Sequence, residues 1–178
     1  APLHYCSHSL GPILQLMQGD YIVRCTASGN RATIIPHEGD GFIDMQVGLF
    51  QTKNGATIKV CRSSVATRRP ALCTYSVYGT KGTLESGRKW YDNTGMRYIE
   101  GEDEEGVAIE ISSSAKDAPE EAKLGGHGTS EYYLVRDFLS SIMNDTKPPI
   151  DIVRALDMSV PGLIAHECGI WKRLFRDR

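Results

Sequence analysis

The residues best suited to chemistry stand near the start of the chain, in the run His4-Tyr5-Cys6-Ser7-His8. If this run is extended, His4, Cys6 and His8 point to the same side, because side chains alternate along a strand. Imidazole and thiolate are ligands that suit zinc. Three ligands this close on one strand are awkward for a tetrahedral site, and no fourth ligand is evident. We therefore expect no metal site.

If a helix begins near His8, the run from His4 to His8 has a different predicted role, in acid/base chemistry. The positive end of the helix dipole favours a neutral imidazole. A neutral imidazole with a nearby tyrosine such as Tyr5 can act as general acid or base on a hydroxyl-bearing substrate. The competing interpretation is a structural histidine that caps backbone groups, and spacing alone favours it.

A second candidate is Gly125-Gly126-His127-Gly128, which stands directly before a predicted helix. Glycines at this place let backbone N–H groups and the His127 imidazole approach a ligand closely at the helix N-terminus. The alternative is a flexible linker that ends in an N-terminal turn, which spacing again favours.

Weaker candidates stand elsewhere in the chain. Arg62, Arg68 and Arg69 suit an anion, although isolated surface arginines are common. The run His166-Glu167-Cys168 lies in a predicted helix, so its three side chains should point in different directions.

Composition indicates an ordinary globular domain. The chain has 178 residues, of which 40% are apolar and 24% charged, and its net charge is −2. That charge excludes a strongly basic nucleic-acid module, and no apolar run approaches the ~20 residues of a membrane span. The sequence contains no G-x-G-x-x-G or Walker loop, so it has no nucleotide-binding fingerprint of its own.

Two further features concern the origin of the chain. Its five cysteines are odd in number and widely spaced, with no C-x-x-C pair, which predicts reduced thiols in a cytoplasmic protein. The chain opens with Ala1-Pro2 and shows no secretory signal, so we interpret it as a piece of a longer protein.

A short helix over residues 8–18 is followed by a region of strands joined by short turns. Asn54-Gly55 is a strong hairpin signal between two of them. Neighbouring strands with short connections predict an antiparallel or mixed sheet. The predicted strands are Tyr21–Thr26, Phe42–Thr52, Ala56–Arg62, Leu72–Tyr78, Thr83–Ser86, Met96–Ile99 and Val107–Ile111.

Helical periodicity returns after a polar loop at residues 112–128. An apolar stripe predicts a helix over residues 130–143, and Asp151 is a plausible N-cap for a final helical segment that Pro161 should kink or divide. Trp171, Leu174 and Phe175 are its predicted last anchors. The order of elements predicts an α+β fold, with an open, mainly antiparallel sheet and helices packed on one face.

Several segments, in order along nearly the whole chain, together resemble the second domain of the glucose–fructose oxidoreductase / inositol dehydrogenase / MocA family. They are His4–Pro12, Arg69-Pro70, Gly79–Glu85, Gly125–Gly128 with Tyr132–Phe138, and Pro148–Asp151 with Ala155–Leu163.

The resemblance implies how the complete protein is organised. Residues 1–178 would form a single C-terminal substrate-binding and oligomerisation domain. An N-terminal Rossmann domain, absent from this chain, would bind NAD or NADP and carry a lysine near the substrate. This fragment would bind no cofactor and would be inactive alone. It would form a homodimer or tetramer through the open sheet face.

The resemblance also implies roles for site residues. Many members carry an Asp four residues before the catalytic His, and His4 occupies that place here. A subgroup that includes NAD-dependent glycosidases acting on N-acetylgalactosamine instead carries Tyr-x-x-His and a Gly-His-Gly loop, which Tyr5, His8 and His127 match. The catalytic residues would then be His8 and Tyr5, and the substrate-binding residues His127 and His4.

Three functions follow as hypotheses. The first is an NAD(P)-dependent oxidoreductase acting on a sugar or polyol hydroxyl. The second is an NAD-dependent glycosidase that oxidises its sugar transiently, and the third is a non-catalytic dimerisation or scaffold module.

Overall fold

A computed structural model describes residues 3–31, 43–67, 73–87, 94–111, 115, 118–124 and 126–171. Several predictions fall outside this part of the chain. They concern Phe42, Arg68, Arg69, Leu72, Gly125, the side chain of Trp171, Leu174 and Phe175.

Helices and strands follow the predicted order. The described helices are two 3-10 helices at Leu3–Tyr5 and Glu120–Leu124, and α1 (Ser7–Leu16), α2 (Ser130–Met143) and α3 (Ile152–Trp171). The described strands are β1 (Ile22–Arg31), β2 (Ile43–Thr52), β3 (Thr57–Ser63), β4 (Ser76–Gly79), β5 (Gly82–Ser86), β6 (Thr94–Ile99) and β7 (Val107–Glu110). The α+β class and the antiparallel pairing are confirmed.

The chain divides into two compact units, Ala1–Thr67 with Ile150–Arg178 and Arg68–Pro149. The described strands correspondingly form two sheets, of order β1-β2-β3 and β4-β5-β6-β7. That residues 1–178 act as one substrate-binding domain stays a prediction.

The hairpin in the first unit forms where Asn54-Gly55 predicts it. Gly55 has φ of +94°, a left-handed conformation that glycine adopts without steric cost. Its N–H donates to the Thr52 carbonyl at 3.1 Å. Nearby, the Asp20 carboxylate accepts the N–H groups of Tyr21 and Asn54 at 2.9 and 3.2 Å. These local bonds set the register of β2 against β3.

Strand β2 buries one face, as its alternating pattern predicts. Asp44, Gln46, Gly48 and Phe50 are all buried on that face, with Phe50 in the main apolar cluster. Helix α3 packs on β1, β2, the first 3-10 helix and α1. Burial of each large apolar side chain in this core contributes about 1.5–3 kcal/mol. The other fully buried members are Leu3, Cys6, Leu10, Leu14 and Ala165.

Helix α3 begins as predicted but is not divided. The Asp151 Oδ1 accepts the N–H of Arg154 at 2.8 Å, which is an N-cap bond. The helix then continues through Pro161 to Trp171, so of the two predicted effects of Pro161, a kink or a division, the division does not occur. Proline removes a backbone hydrogen bond and its ring crowds the carbonyl four residues earlier, and the packing of α3 on four other elements offsets that cost.

The second unit contains the four-stranded sheet, the second 3-10 helix and α2. Helix α2 has the predicted bounds of 130–143. Its apolar stripe is nevertheless half exposed or more, from 50% at Leu139 to 62% at Leu134 and Ile142. The polar loop at 112–128 contains a 3-10 turn that composition did not predict.

Candidate functional site

The run from His4 to His8 is helical rather than extended. Leu3–Tyr5 form a 3-10 turn, and Cys6 precedes α1 with φ −92° and ψ −12°. Cys6 is therefore buried while His4 and His8 are exposed, so the extended three-ligand arrangement does not form. No group of three potential metal ligands occurs within the described ranges.

Burial also makes Cys6 a poor nucleophile. It raises the pKa of the Cys6 thiol to about 11, against a smaller opposing effect of the positive charge on Arg62. The thiolate is the reactive form of cysteine, so at neutral pH this side chain acts as a packing group.

Tyr5 and His8 form a stacked pair on the surface of the first unit. Their ring centroids are 4.8 Å apart, with an interplanar angle of 28°. Both side chains are exposed, Tyr5 to 53%. The Ser7 hydroxyl lies 3.5 Å from His8 Nδ1. This places a phenol and an imidazole side by side, where both can contact the same ligand.

Arg62 joins this pair from strand β3. Register places it opposite Gln46 on β2, so its side chain leaves the sheet on the face that carries the first 3-10 helix. Its guanidinium carbon lies 5.0 Å from the Tyr5 ring centroid, and its Nη1 donates to the Tyr5 carbonyl. No feature of the sequence distinguishes Arg62 from the other arginines, since this contact spans 57 residues.

A second pair of rings involves His4. The ring centroids of His4 and His166, the latter on α3, are 5.7 Å apart in an edge-to-face arrangement. His166 Nδ1 lies 3.1 Å from Gln46 Oε1, and the same oxygen accepts the N–H of Leu3 at 3.1 Å. Because the Leu3 amide can only donate, the Gln46 atom between them is the oxygen, and His166 Nδ1 carries the proton.

The environment keeps both imidazoles of this pair neutral at pH 7. Burial is the main cause that lowers the pKa of His4 and of His166 below the ordinary 6.5. His4 adds to the effect on His166, while Glu167 opposes it. With Nδ1 protonated, His166 Nε2 is left as a hydrogen-bond acceptor.

His127 lies in the second unit, where Glu131 fixes it. His127 Nδ1 lies 2.7 Å from Glu131 Oε1, and the His127 N–H donates to Oε2 at 3.3 Å. The hydrogen bond from His127 is the main cause that lowers the pKa of the Glu131 carboxyl. A carboxylate on Nδ1 holds an imidazole in the tautomer whose Nε2 can accept a proton. The His-x-x-x-Glu spacing of this pair is present in the sequence, but by itself it did not single out Glu131.

The structure thus brings together His4, Tyr5 and His8 in the first unit and adds Arg62, Gln46 and His166 to them. His127 and Glu131 belong to the second unit.

Comparison with solved structures identifies the fold. UDP-N-acetylglucosamine 3-dehydrogenase from Acidithiobacillus ferrooxidans matches with a TM-score of 0.66 at 18% identity, over 92% of this chain and 45% of that chain. Levoglucosan dehydrogenase in complex with NADH and L-sorbose matches with a TM-score of 0.70 at 13% identity, over 93% and 46%. The fold of this chain is therefore shared with just under half of each of these two dehydrogenases.

An inositol dehydrogenase homolog from Azotobacter vinelandii, complexed with NADH and myo-inositol, also matches, with a TM-score of 0.60 at 17% identity over 93% of this chain and 46% of that chain. This chain therefore spans less than half the length of the solved structures it resembles. A scan against protein-family models finds no match, and a search of curated proteins finds none either.

The described strands and helices do not form the arrangement that binds a dinucleotide. The described strands pair antiparallel, and none of them leads directly through a glycine-rich turn into a helix, which is the arrangement that binds a pyrophosphate. Within the described ranges, no helix has the length and apolar character needed to cross a membrane.

Proposed function

We propose that this chain is the substrate-binding C-terminal domain of an NAD(P)-dependent oxidoreductase that acts on a sugar or polyol hydroxyl. The observation that carries the proposal is the exposed Tyr5–His8 stack, in a fold shared with sugar and polyol dehydrogenases. The sequence motifs that resemble the same family support it independently.

Oxidation of a hydroxyl requires a group that takes the hydroxyl proton and a group that takes the hydride. His8 supplies the proton acceptor, since its imidazole is exposed and stacked on a phenol. Tyr5 assists as the neighbouring donor or acceptor. The hydride acceptor, NAD or NADP, would belong to a separate Rossmann domain.

His4 and His127 are the proposed substrate ligands. Desolvation keeps His4 neutral, which lets its ring both donate and accept hydrogen bonds to sugar hydroxyls. For His127, the Glu131 carboxylate fixes the tautomer and leaves Nε2 for a substrate hydroxyl.

Assembly and location are part of the same proposal. The exposed face of β2 carries Met45 and Leu49, at 40% and 45% exposure, and apolar side chains grouped on a sheet face favour association. We propose a homodimer or tetramer through this face, a covalently linked Rossmann partner domain, and a cytoplasmic location.

The test is NADH formation by the complete protein with a panel of sugars and polyols. We expect His8→Asn to lower kcat by about 10²–10⁴-fold, the usual contribution of a general acid or base, and Tyr5→Phe to lower it less. Tyr78→Phe, which alters an exposed tyrosine of the second unit, is the matched control. Unchanged turnover in His8→Asn overturns the assignment. Release of an aglycone without net NADH formation would instead support the glycosidase alternative.

A further inference from the structure

Arg62 is placed unusually for a surface arginine. Its side chain is half-buried, and its guanidinium covers the Tyr5 ring at 5.0 Å from the centroid. The stack immobilises the guanidinium without neutralising it, because an aromatic ring attracts a cation but carries no net charge. The hydrogen bond from Nη1 to the Tyr5 carbonyl fixes the remaining rotation.

No acidic side chain in the described part of the chain forms an ion pair with Arg62. The ion pairs among the described residues involve Asp103, Glu120, Glu131 and Asp137 with other basic groups, and none of them includes Arg62. A guanidinium has five N–H donors in a planar fork. One donor reaches the Tyr5 carbonyl, and the others have no hydrogen-bond acceptor among the described residues.

The Arg62 guanidinium lies on the same tyrosine ring as His8, the proposed proton acceptor. The Arg62 guanidinium and the His8 imidazole both lie against the Tyr5 ring, at 5.0 and 4.8 Å from its centroid. The two groups therefore lie no farther apart than the sum of these two distances, and we infer that a hexose with a charged substituent is long enough to contact both. The planar fork of arginine binds carboxylate and phosphate in two-point fashion.

We propose that Arg62 binds an anionic substituent, a carboxylate or a phosphate, of the substrate whose hydroxyl His8 contacts. This inference rests on the proposed function and narrows its substrate class to sugars or polyols that carry a negative charge. A neutral polyol leaves the guanidinium fork without a charged partner and binds more weakly.

The experiment measures binding to the 178-residue chain by calorimetry, with glucose, gluconate, glucose 6-phosphate and inorganic phosphate as probes. We expect gluconate or glucose 6-phosphate to bind at least about tenfold more tightly than glucose, with a preference that weakens as salt is raised. Comparison of the two charged sugars distinguishes a carboxylate site from a phosphate site.

Variants separate recognition of charge from a structural role. Arg62→Gln should abolish the preference, so that the charged sugars bind no more tightly than glucose does to the same variant. Arg62→Lys, which keeps the charge but loses the fork, should retain part of it. Arg24→Gln, an exposed arginine of β1, is the matched control. Thermal unfolding of each variant confirms that it is folded.

Three outcomes decide the inference. Equal binding of glucose and its charged derivatives, or no binding of any probe, overturns it. So does a preference that survives Arg62→Gln. If glucose binds and His8→Asn abolishes that binding, the proposed function stands although the anion inference fails. If Arg62-dependent binding is as tight for inorganic phosphate as for the sugars and is insensitive to His8→Asn, the anion site stands and the proposed function fails.

Discussion

Gln46 Oε1 lies 3.1 Å from His166 Nδ1 and accepts the N–H of Leu3 at the same distance. One buried amide of β2 therefore ties α3 to the 3-10 helix that carries His4 and Tyr5. The buried Nε2 of Gln46 has no hydrogen-bond partner among the described residues. Gln46 thus acts as a positioning residue for the first unit of the candidate site.

Replacing Gln46 by leucine should destabilise the chain by about 1–3 kcal/mol for each buried group left unpaired. The two groups at risk are the Leu3 N–H and the His166 Nδ1–H. Urea unfolding measures the change, and Gln51→Leu, at an exposed position of the same strand, is the control. Equal losses in the two variants would show that the amide bonds contribute nothing specific.

The stability of the chain should depend on pH through His166 and His4. Each pKa is lowered in the folded state, chiefly by burial, so the unfolded chain binds more protons in the window between the folded pKa and the ordinary 6.5. The free energy of unfolding is therefore highest at pH values above 6.5 and falls as the pH falls through this window. Below the folded pKa both states bind the proton, so the stability contributed by the neutral histidine is lost. Urea unfolding across the window measures the slope.

Substitution of His166 tests whether this residue causes the pH dependence of the free energy of unfolding. His166→Gln should flatten the pH dependence, and His4→Gln should raise the pKa of His166, because His4 contributes to lowering it. Titration of the imidazole proton resonances by NMR reports each pKa directly. A His166 that titrates at or above the ordinary value would refute the assignment.

Gly162 is required where α3 crosses the start of the chain. An added Cβ would collide with the Leu3 carbonyl oxygen and would lie 2.5 Å from the Cys6 Cβ. We expect Gly162→Ala to destabilise the chain by about 1–3 kcal/mol, the usual cost of overpacking, and to weaken ligand binding by displacing Tyr5. Gly79→Ala, on β4 and outside the candidate site, is the control, because its Cβ would meet its nearest atom at an ordinary contact distance of 3.5 Å. Wild-type stability in Gly162→Ala is the result that would contradict this explanation.

Features set by local interactions were predictable from the sequence. Three of them depend on residues within a few positions of one another: the Asn54-Gly55 turn, the Asp151 cap and the bounds of α2. The site depends instead on distant contacts: 57 residues separate Arg62 from Tyr5, and 120 separate His166 from Gln46.

Contacts between residues so far apart in the sequence depend on the register of β2 against β3 and on the packing of α3. A single sequence does not specify either. The same limit applies to helix α3, because tertiary packing keeps it continuous through Pro161 against the local preference of proline.

Glu131 should stabilise the second unit only where it is ionised. The hydrogen bond from His127 is the main cause that holds its pKa below the ordinary 4.5, so its contribution is present above that ordinary value and is lost as the pH falls through the folded pKa. Glu131→Gln should therefore unfold at a lower temperature than wild type at neutral pH, and the difference should disappear once the pH lies below the folded pKa of Glu131. Glu104→Gln, an exposed residue of the same unit, is the control. A difference between wild type and Glu131→Gln that persists in acid would mean that packing of the Glu131 side chain, rather than its charge, holds His127 in place.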